Sequence, residues 1–228
     1  SKIFPDLKKC KVSIIGLGYV GLPLAIEFAK TKTQDIYISS DVERNVIGYD
    51  VNEERISELN NLYDRTNEIE VNILEELKNL KITSDINDLI NSDVYIITVP
   101  TPIDKSKRPN LNLVRSAILK ICESINKSLE QNQNNCRNDN FFTVILESTV
   151  YPGVCEDICI PIIEKETNLK LNSDFIFGYS PERINPGDKE HKLETIIKVT
   201  SGSNQEGSLW IDNLYKSIIK AGTFQAKN

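Results

Sequence analysis

One junction constrains this chain more than any other: a glycine string set between a strand period and a helix period. Lys11-Val-Ser-Ile-Ile15 reads as a short buried strand, and Gly16-Leu-Gly-Tyr-Val-Gly21 follows at once. Leu22 to Lys30 then takes up helical spacing, with Leu22, Ala25, Ile26 and Ala29 on one stripe. In such a turn the first glycine permits the tight bend and the second lets the backbone approach a pyrophosphate. The third lets helix and strand pack closely. Amide groups at the helix start, aided by the helix dipole, then bind phosphates. Alone the string is weak, because plain strand-to-helix turns also use glycine.

Asp50 strengthens it. The residue ends a second strand, Val46-Ile-Gly-Tyr-Asp50, where a carboxylate can accept from both ribose hydroxyls of an adenosine. It lies about ten residues beyond the roughly 20-residue spacing usual for this fingerprint. A polar stretch at about 31–45, read as a loop insertion, absorbs the excess. A carboxylate there repels a 2′-phosphate, so NAD is expected over NADP. Arg55, one turn into the next helix behind an Asn52 cap, has three roles open to it: softening that preference, contacting the adenosine end, or serving as a solvated helix charge.

The same alternation continues along the chain. Glu68 to Leu80 shows helical intervals, Lys81-Ile-Thr a short strand, and Ile86 to Ile90 a short helix. Val94 to Val99 is continuous and β-branched, as befits a strand buried on both faces. Leu111 to Leu129 is amphipathic, and 131–140 is polar and reads as a second loop insertion. Phe141 to Leu146 is a strand, Val154 to Glu166 a helix with Pro161 as a kink, and Phe175 to Tyr179 a strand. Ile196 to Thr200 reads as the last strand, Gly202 as a break, and Ser203 as the cap of a helix through Ile219. Strands alternating with helices mean an α/β, Rossmann-type doubly wound, mostly parallel sheet with helices on both faces, spanning 1–228 as one domain.

Composition narrows the partners. A net charge of -6 and a pI near 5.0 argue against a nucleic-acid or anionic-membrane partner, since both need a basic face. The apolar runs are strand-sized, too short for a bilayer. Five irregularly spaced cysteines, an odd number, argue against a disulfide framework, and a reducing cytoplasm is the expected location. Cys155 and Cys159 share a helix face but have no partnering pair at zinc spacing, so no metal is expected. His191, the single histidine, has no evident acid or thiol partner.

Three further strands end in polar, proline-bearing strings: Val99-Pro-Thr-Pro102, Glu147-Ser-Thr-Val-Tyr-Pro-Gly153 and Ser180-Pro-Glu-Arg-Ile-Asn-Pro-Gly187. Ligands of open parallel sheets bind beyond the carboxyl ends of the strands. Their hydroxyl and carboxylate groups are therefore expected to face a crevice beside the glycine turn.

Together GLGYVG followed by Leu22-Pro23, VPTPID at 99–104, ESTVYPG at 147–153 and YSPERINPGD at 179–188 resemble the nucleotide-sugar 6-dehydrogenases, the UDP-glucose/GDP-mannose dehydrogenase family. The SPERINPGD form is most similar to the branch acting on UDP-N-acetylglucosamine and UDP-N-acetylgalactosamine. The resemblance implies oxidation of a sugar C6 alcohol to a carboxylate with two NAD, through a cysteine thiohemiacetal and thioester. It implies cofactor contacts at Gly16, Gly18, Tyr19, Val20, Gly21, Asp50, Arg55, Val99, Pro100, Thr101, Ser148 and Thr149. Thr149 would hold the catalytic water and Glu182 would carry protons, unless Glu182 is only a salt bridge to Arg183. Glu182, Arg183, Ile184, Asn185 and Pro186 would form the substrate loop of a UDP-sugar site.

The family's nucleophilic cysteine and catalytic lysine belong to strings that do not occur here. The expectation is therefore an NAD-binding domain without the central helix, through which the family forms homodimers, and without the C-terminal sugar-binding domain. Such a chain would bind NAD without turnover. The alternatives are a stand-alone NAD-binding sensor or scaffold module, or another Rossmann dehydrogenase of hydroxyacid type.

Overall fold

The computed structural model describes residues 2–31, 42–132, 139–181, 197–219 and 223–226. Its strands are β1 (Val12–Ile15), β2 (Val46–Tyr49), β3 (Leu80–Thr83), β4 (Val94–Ile97), β5 (Phe142–Leu146), β6 (Phe175–Tyr179), β7 (Lys198–Gly202) and β8 (Thr223–Gln225). The helices are α1 (Gly21–Ala29), α2 (Glu53–Asn60), α3 (Ile73–Glu76), α4 (Asn112–Gln131), α5 (Ile160–Thr167) and α6 (Gln205–Lys216). The strands form one sheet in the order β3-β2-β1-β4-β5-β6-β7-β8. Every pairing is parallel except β6 with β7. From β1 the chain winds outward through β2 and β3, then returns to build the other half from β4. The switch point, where such sheets open a crevice, therefore lies between β1 and β4.

The two-residue period of the strands feeds two cores. Ile14, Val46, Ile96 and Ile145 pack with α1, α2 and α6 on one face. Ile15, Ile47, Ile97 and Val144 pack with α4 and α5 on the other. Every residue of β1, β2 and β4 is buried, which is why these segments read as continuous apolar runs. Arg44, fully buried at the foot of β2, ties distant pieces together. Its guanidinium donates to the carbonyls of Phe28 and Leu7 and to Ser217 Oγ. No helix among the described residues is long and apolar enough to cross a membrane.

The departures from the sequence reading have local causes. Only Ile73–Glu76 of the helix expected over 68–80 is helical. Asp64 accepts from the amides of Thr66 and Glu68, and Asn67 turns left-handed at φ 56°, so the chain enters this stretch through turns. Ile69, Ile73, Leu74 and Leu80 still pack on the core, which meets the helical spacing without a continuous helix. The helix expected over 154–166 is a π-turn, Cys155–Cys159, followed by α5. Pro161 lies just past that wide turn inside a helix that is continuous over 154–167, and the π-turn is the local irregularity that accommodates its missing N–H.

Asn204, rather than Ser203, caps α6, accepting from the Gly207 amide at 2.7 Å. Ser203 is spent on the sheet, where its hydroxyl donates to Asn172 Oδ1 and accepts from the Phe177 amide. Gly202 ends β7 instead of breaking the chain; a Cβ there would lie 2.6 Å from the Ser208 amide nitrogen. Strand β8 had no sequence signal.

Candidate functional site

The three glycines of the turn after β1 do different work. Gly16 has φ +106°, and a Cβ on it would press on the Val99 backbone at 3.0 Å. A Cβ on Gly21 would lie 1.7 Å from the Gly16 carbonyl oxygen and 2.5 Å from Thr98 Oγ1. At Gly18 a Cβ would meet nothing within 4 Å. Two glycines are thus demanded by packing, and the middle one leaves its backbone open to something outside the chain. Helix α1 starts at Gly21; its N-cap residue, Val20, offers no side-chain cap, and its first turn holds no acid. The Leu22 amide donates to the Gly18 carbonyl at 3.2 Å and Pro23 has no N–H, so what the turn offers an anion is the positive end of the α1 dipole and the amides that precede Leu22. Tyr19 is exposed and Val20 half-buried at this mouth.

Thr98, which the sequence reading passed over, locks the turn from β4: its hydroxyl donates to the Gly16 carbonyl at 2.7 Å. The available signal was a hydroxyl residue inside the apolar run 94–99.

Asp50 stands beside the turn. Its Oδ2 accepts from the Leu17 amide at 2.9 Å and its Oδ1 from the Asn52 amide at 2.9 Å. An ionised carboxylate offers about four lone-pair sites, so capacity remains for two hydroxyl donors. Arg55 is only 5% exposed, which excludes the solvated helix charge. Its Nε donates to the Leu17 carbonyl at 2.8 Å, and its Nη1 lies 2.8 Å from Asp64 Oδ1. Leu17 is therefore gripped at its N–H by Asp50 and at its C=O by Arg55.

The opposite wall comes from the ends of β4 and β5. Ser148 Oγ donates to the Val99 carbonyl at 2.5 Å, and Thr101 Oγ1 donates to the Thr149 carbonyl at 2.7 Å. These bonds stitch 99–101 to 148–149 and bring Val99, Pro100, Thr101, Ser148 and Thr149 to one rim. Thr149 and Pro100 are exposed there. The Val150 amide donates to the Tyr179 hydroxyl at 3.4 Å, which joins β6 to the same rim.

Glu147 corrects the expectation that the carboxylates of these strings face the crevice. It is 1% exposed, and its carboxylate lies within, 2.6 Å from Lys198 Nζ and 2.7 Å from the Tyr215 hydroxyl. Lys198 Nζ also donates to the Ser180 carbonyl at 3.2 Å. The ammonium thereby bridges the residues that follow β5 and β6, the two strands that lead into the ESTV and SPERINPGD strings. Glu182, Arg183, Ile184, Asn185, Pro186, Cys136 and His191 lie outside the described residues. Burial pushes the Cys10, Cys122, Cys155 and Cys159 thiols up to about 12. They stay protonated at neutral pH and are poor nucleophiles.

A glycine turn of this shape at the switch point, with a ribose-competent carboxylate beside it, defines a dinucleotide-binding domain of the Rossmann type. The profile described as "UDP-glucose/GDP-mannose dehydrogenase family, NAD binding domain" matches residues 10–219. The chain belongs to this family as its NAD-binding domain, and NAD is its cofactor. It is 46% identical, over 97% of its length, to a UDP-N-acetyl-D-glucosamine 6-dehydrogenase of Pseudomonas aeruginosa, of which it covers 47%. It is 44% identical, again over 97% of its length, to the enzyme of that name from Salmonella typhi, of which it covers 46%. Among solved structures, the UDP-D-ManNAc dehydrogenase of Pyrococcus horikoshii superposes with TM-score 0.75 at 28% identity, over 95% of this chain and 47% of that one. The chain spans about half the length of the curated relatives it matches.

Proposed function

We propose that this chain is the cofactor half of a UDP-N-acetyl-D-glucosamine 6-dehydrogenase, which oxidises the sugar C6 alcohol to a carboxylate. The observation that carries the cofactor role is the Asp50 carboxylate, held on the Leu17 amide beside the open backbone of Gly18. Identity of 46% with the Pseudomonas aeruginosa enzyme supports the substrate. NAD, when bound, supplies the hydride acceptor that alcohol oxidation requires.

The chain's own residues then divide the work. Gly16, Gly18, Val20 and Gly21 offer backbone to the pyrophosphate, with Tyr19 at the mouth. Asp50 accepts from the ribose hydroxyls, and Arg55 holds the turn beneath it. Val99, Pro100, Thr101 and Ser148 form the wall beyond the turn. Thr149, exposed on that rim, orients the water that hydrolyses a thioester. Glu182 relays protons, and Arg183, Ile184, Asn185 and Pro186 face the sugar nucleotide. The nucleophilic cysteine and catalytic lysine are placed outside this chain because the family strings that carry them do not occur in it; consistent with that, the thiols among the described residues are buried and protonated. The whole enzyme is a cytoplasmic homodimer.

Titration of the chain with NAD and NADP by calorimetry tests this reading. NAD is expected to bind more tightly, and Asp50→Ala to weaken it about tenfold, as loss of charge-assisted hydrogen bonds does. Equal affinity for the two cofactors would contradict the ribose assignment. NADH formation from UDP-N-acetylglucosamine by this chain alone would overturn the division of labour.

A further inference from the structure

Asp64 lies fourteen positions after Asp50, outside the glycine turn and outside every string discussed above. Its side chain is 1% exposed, and both of its carboxylate oxygens accept hydrogen bonds. Oδ1 accepts from the Thr66 amide at 3.0 Å and the Thr66 hydroxyl at 2.7 Å, and Oδ2 accepts from the Glu68 amide at 3.0 Å. The Arg55 guanidinium is ion-paired with the same Oδ1, with Nη1 2.8 Å away. The other acid near Arg55 is Glu58, at 3.7 Å, and its two oxygens are taken by Arg65 Nε at 2.7 and 2.8 Å. Asp64 is therefore the main counter-charge of Arg55.

That pairing sets what Arg55 can do. An arginine on the helix after the second strand, close to the ribose-binding acid, is the usual means of receiving a 2′-phosphate. A planar guanidinium makes such contacts through two adjacent donors. Here Nε donates to the Leu17 carbonyl and Nη1 is ion-paired with Asp64, while Nη2 is buried with no hydrogen-bond partner, so the guanidinium is packed inside the fold beside the glycine turn. We infer that Asp64 is a positioning residue for cofactor choice: it holds Arg55 under Leu17, which fixes the glycine turn for NAD and withholds the cation from NADP. The inference rests on the NAD reading of the site given above.

The two effects are separable by experiment on this chain. Asp64→Asn keeps the shape and removes the counter-charge. Affinities of the variant for NAD and for NADP are measured by calorimetry, with a thermal melt to confirm folding. NAD is expected to weaken and NADP to strengthen, lowering the NAD:NADP affinity ratio about tenfold, the size of one charge-assisted contact. A role confined to stability would lower the melting temperature and leave the ratio unchanged, and that result would overturn the inference. If Asp64 acts through Arg55, Asp64→Asn added to Arg55→Met must leave the ratio of Arg55→Met unchanged; a further shift of the ratio in that background also overturns it.

Should Asp64→Asn not fold, Thr66→Val loosens the same carboxylate without removing its charge. It is expected to lower the ratio about threefold, as loss of one hydrogen bond does, and an unchanged ratio refutes the inference. Failure of the parent chain to bind either cofactor would instead strike at the NAD reading itself.

Discussion

Replacing Lys198 by methionine removes the cation from a carboxylate that has almost no access to water. The lysine side chain is 4% exposed and that of Glu147 is 0%, with 2.6 Å between Nζ and Oε1. Taking the cation from a buried pair leaves the carboxylate desolvated without that counter-charge, which costs about 3–5 kcal/mol. For a domain of this size each kcal/mol lowers Tm by about 2–4 °C, so a fall of roughly 6–20 °C is expected. The double variant Glu147→Leu, Lys198→Met removes both charges and is expected to recover most of the loss. Its remaining deficit is about 1 kcal/mol, from the Tyr215 hydroxyl that donates to Glu147 in the parent. Urea unfolding and a thermal melt of the parent, the single and the double variant read all three values. A single variant within about 1 kcal/mol of the parent would refute the reasoning, and so would a double variant no more stable than the single. Because Lys198 also reaches the Ser180 carbonyl, the single variant should in addition weaken NAD binding at the Ser148–Thr149 rim.

Two further outcomes follow from the site. Gly18→Ala should leave Tm within about 2 °C of the parent, since its Cβ has open space, yet weaken NAD about tenfold or more by occupying the ground the pyrophosphate needs. Gly21→Ala should lose both, with about 1–3 kcal/mol of stability gone, because its Cβ collides with the Gly16 carbonyl; melts and NAD titrations of the pair separate the two roles. The acid limb of stability should depend on Asp64. Burial acts to raise its pKa, but hydrogen bonds from Thr66, Arg55 and the Glu68 amide outweigh it and hold the carboxyl below its ordinary 3.8. A depressed carboxylate contributes stability above its unfolded value and loses it as pH falls through the folded one. Urea midpoints measured from neutral pH down past 3.8 should therefore fall less steeply in Asp64→Asn than in the parent.

The glycine turn, its flanking strand and helix, Asp50 at the end of β2 and Asn52 as a cap were all legible in the sequence. Each depends on residues a few positions apart, so a local period or a single side chain reports it. The readings that failed were those in which a local pattern had a second solution. The apolar spacing of 68–80 is met by successive turns as well as by a helix, and Asp64 and Asn67 select the turns. Ser203 and Asn204 are both good caps, and the hydroxyl of Ser203 is claimed by Asn172 and the Phe177 amide. Arg55 was open among three roles, because its partners lie at Leu17 and Asp64 rather than within its own helix turn.

The sequence by itself determined the alternation of strands and helices, the class of the sheet and the place of the dinucleotide turn. Only the tertiary structure decided which charges are buried together. Glu147 and Lys198 are 51 residues apart, and nothing near either one in the chain marks it as paired. They meet because the sheet sets β5, β6 and β7 side by side, with β7 running antiparallel to β6. Periodicity is written by neighbours within a turn, whereas a buried ion pair depends on which strands lie next to each other. That order is settled by packing the whole sheet between its two helical layers.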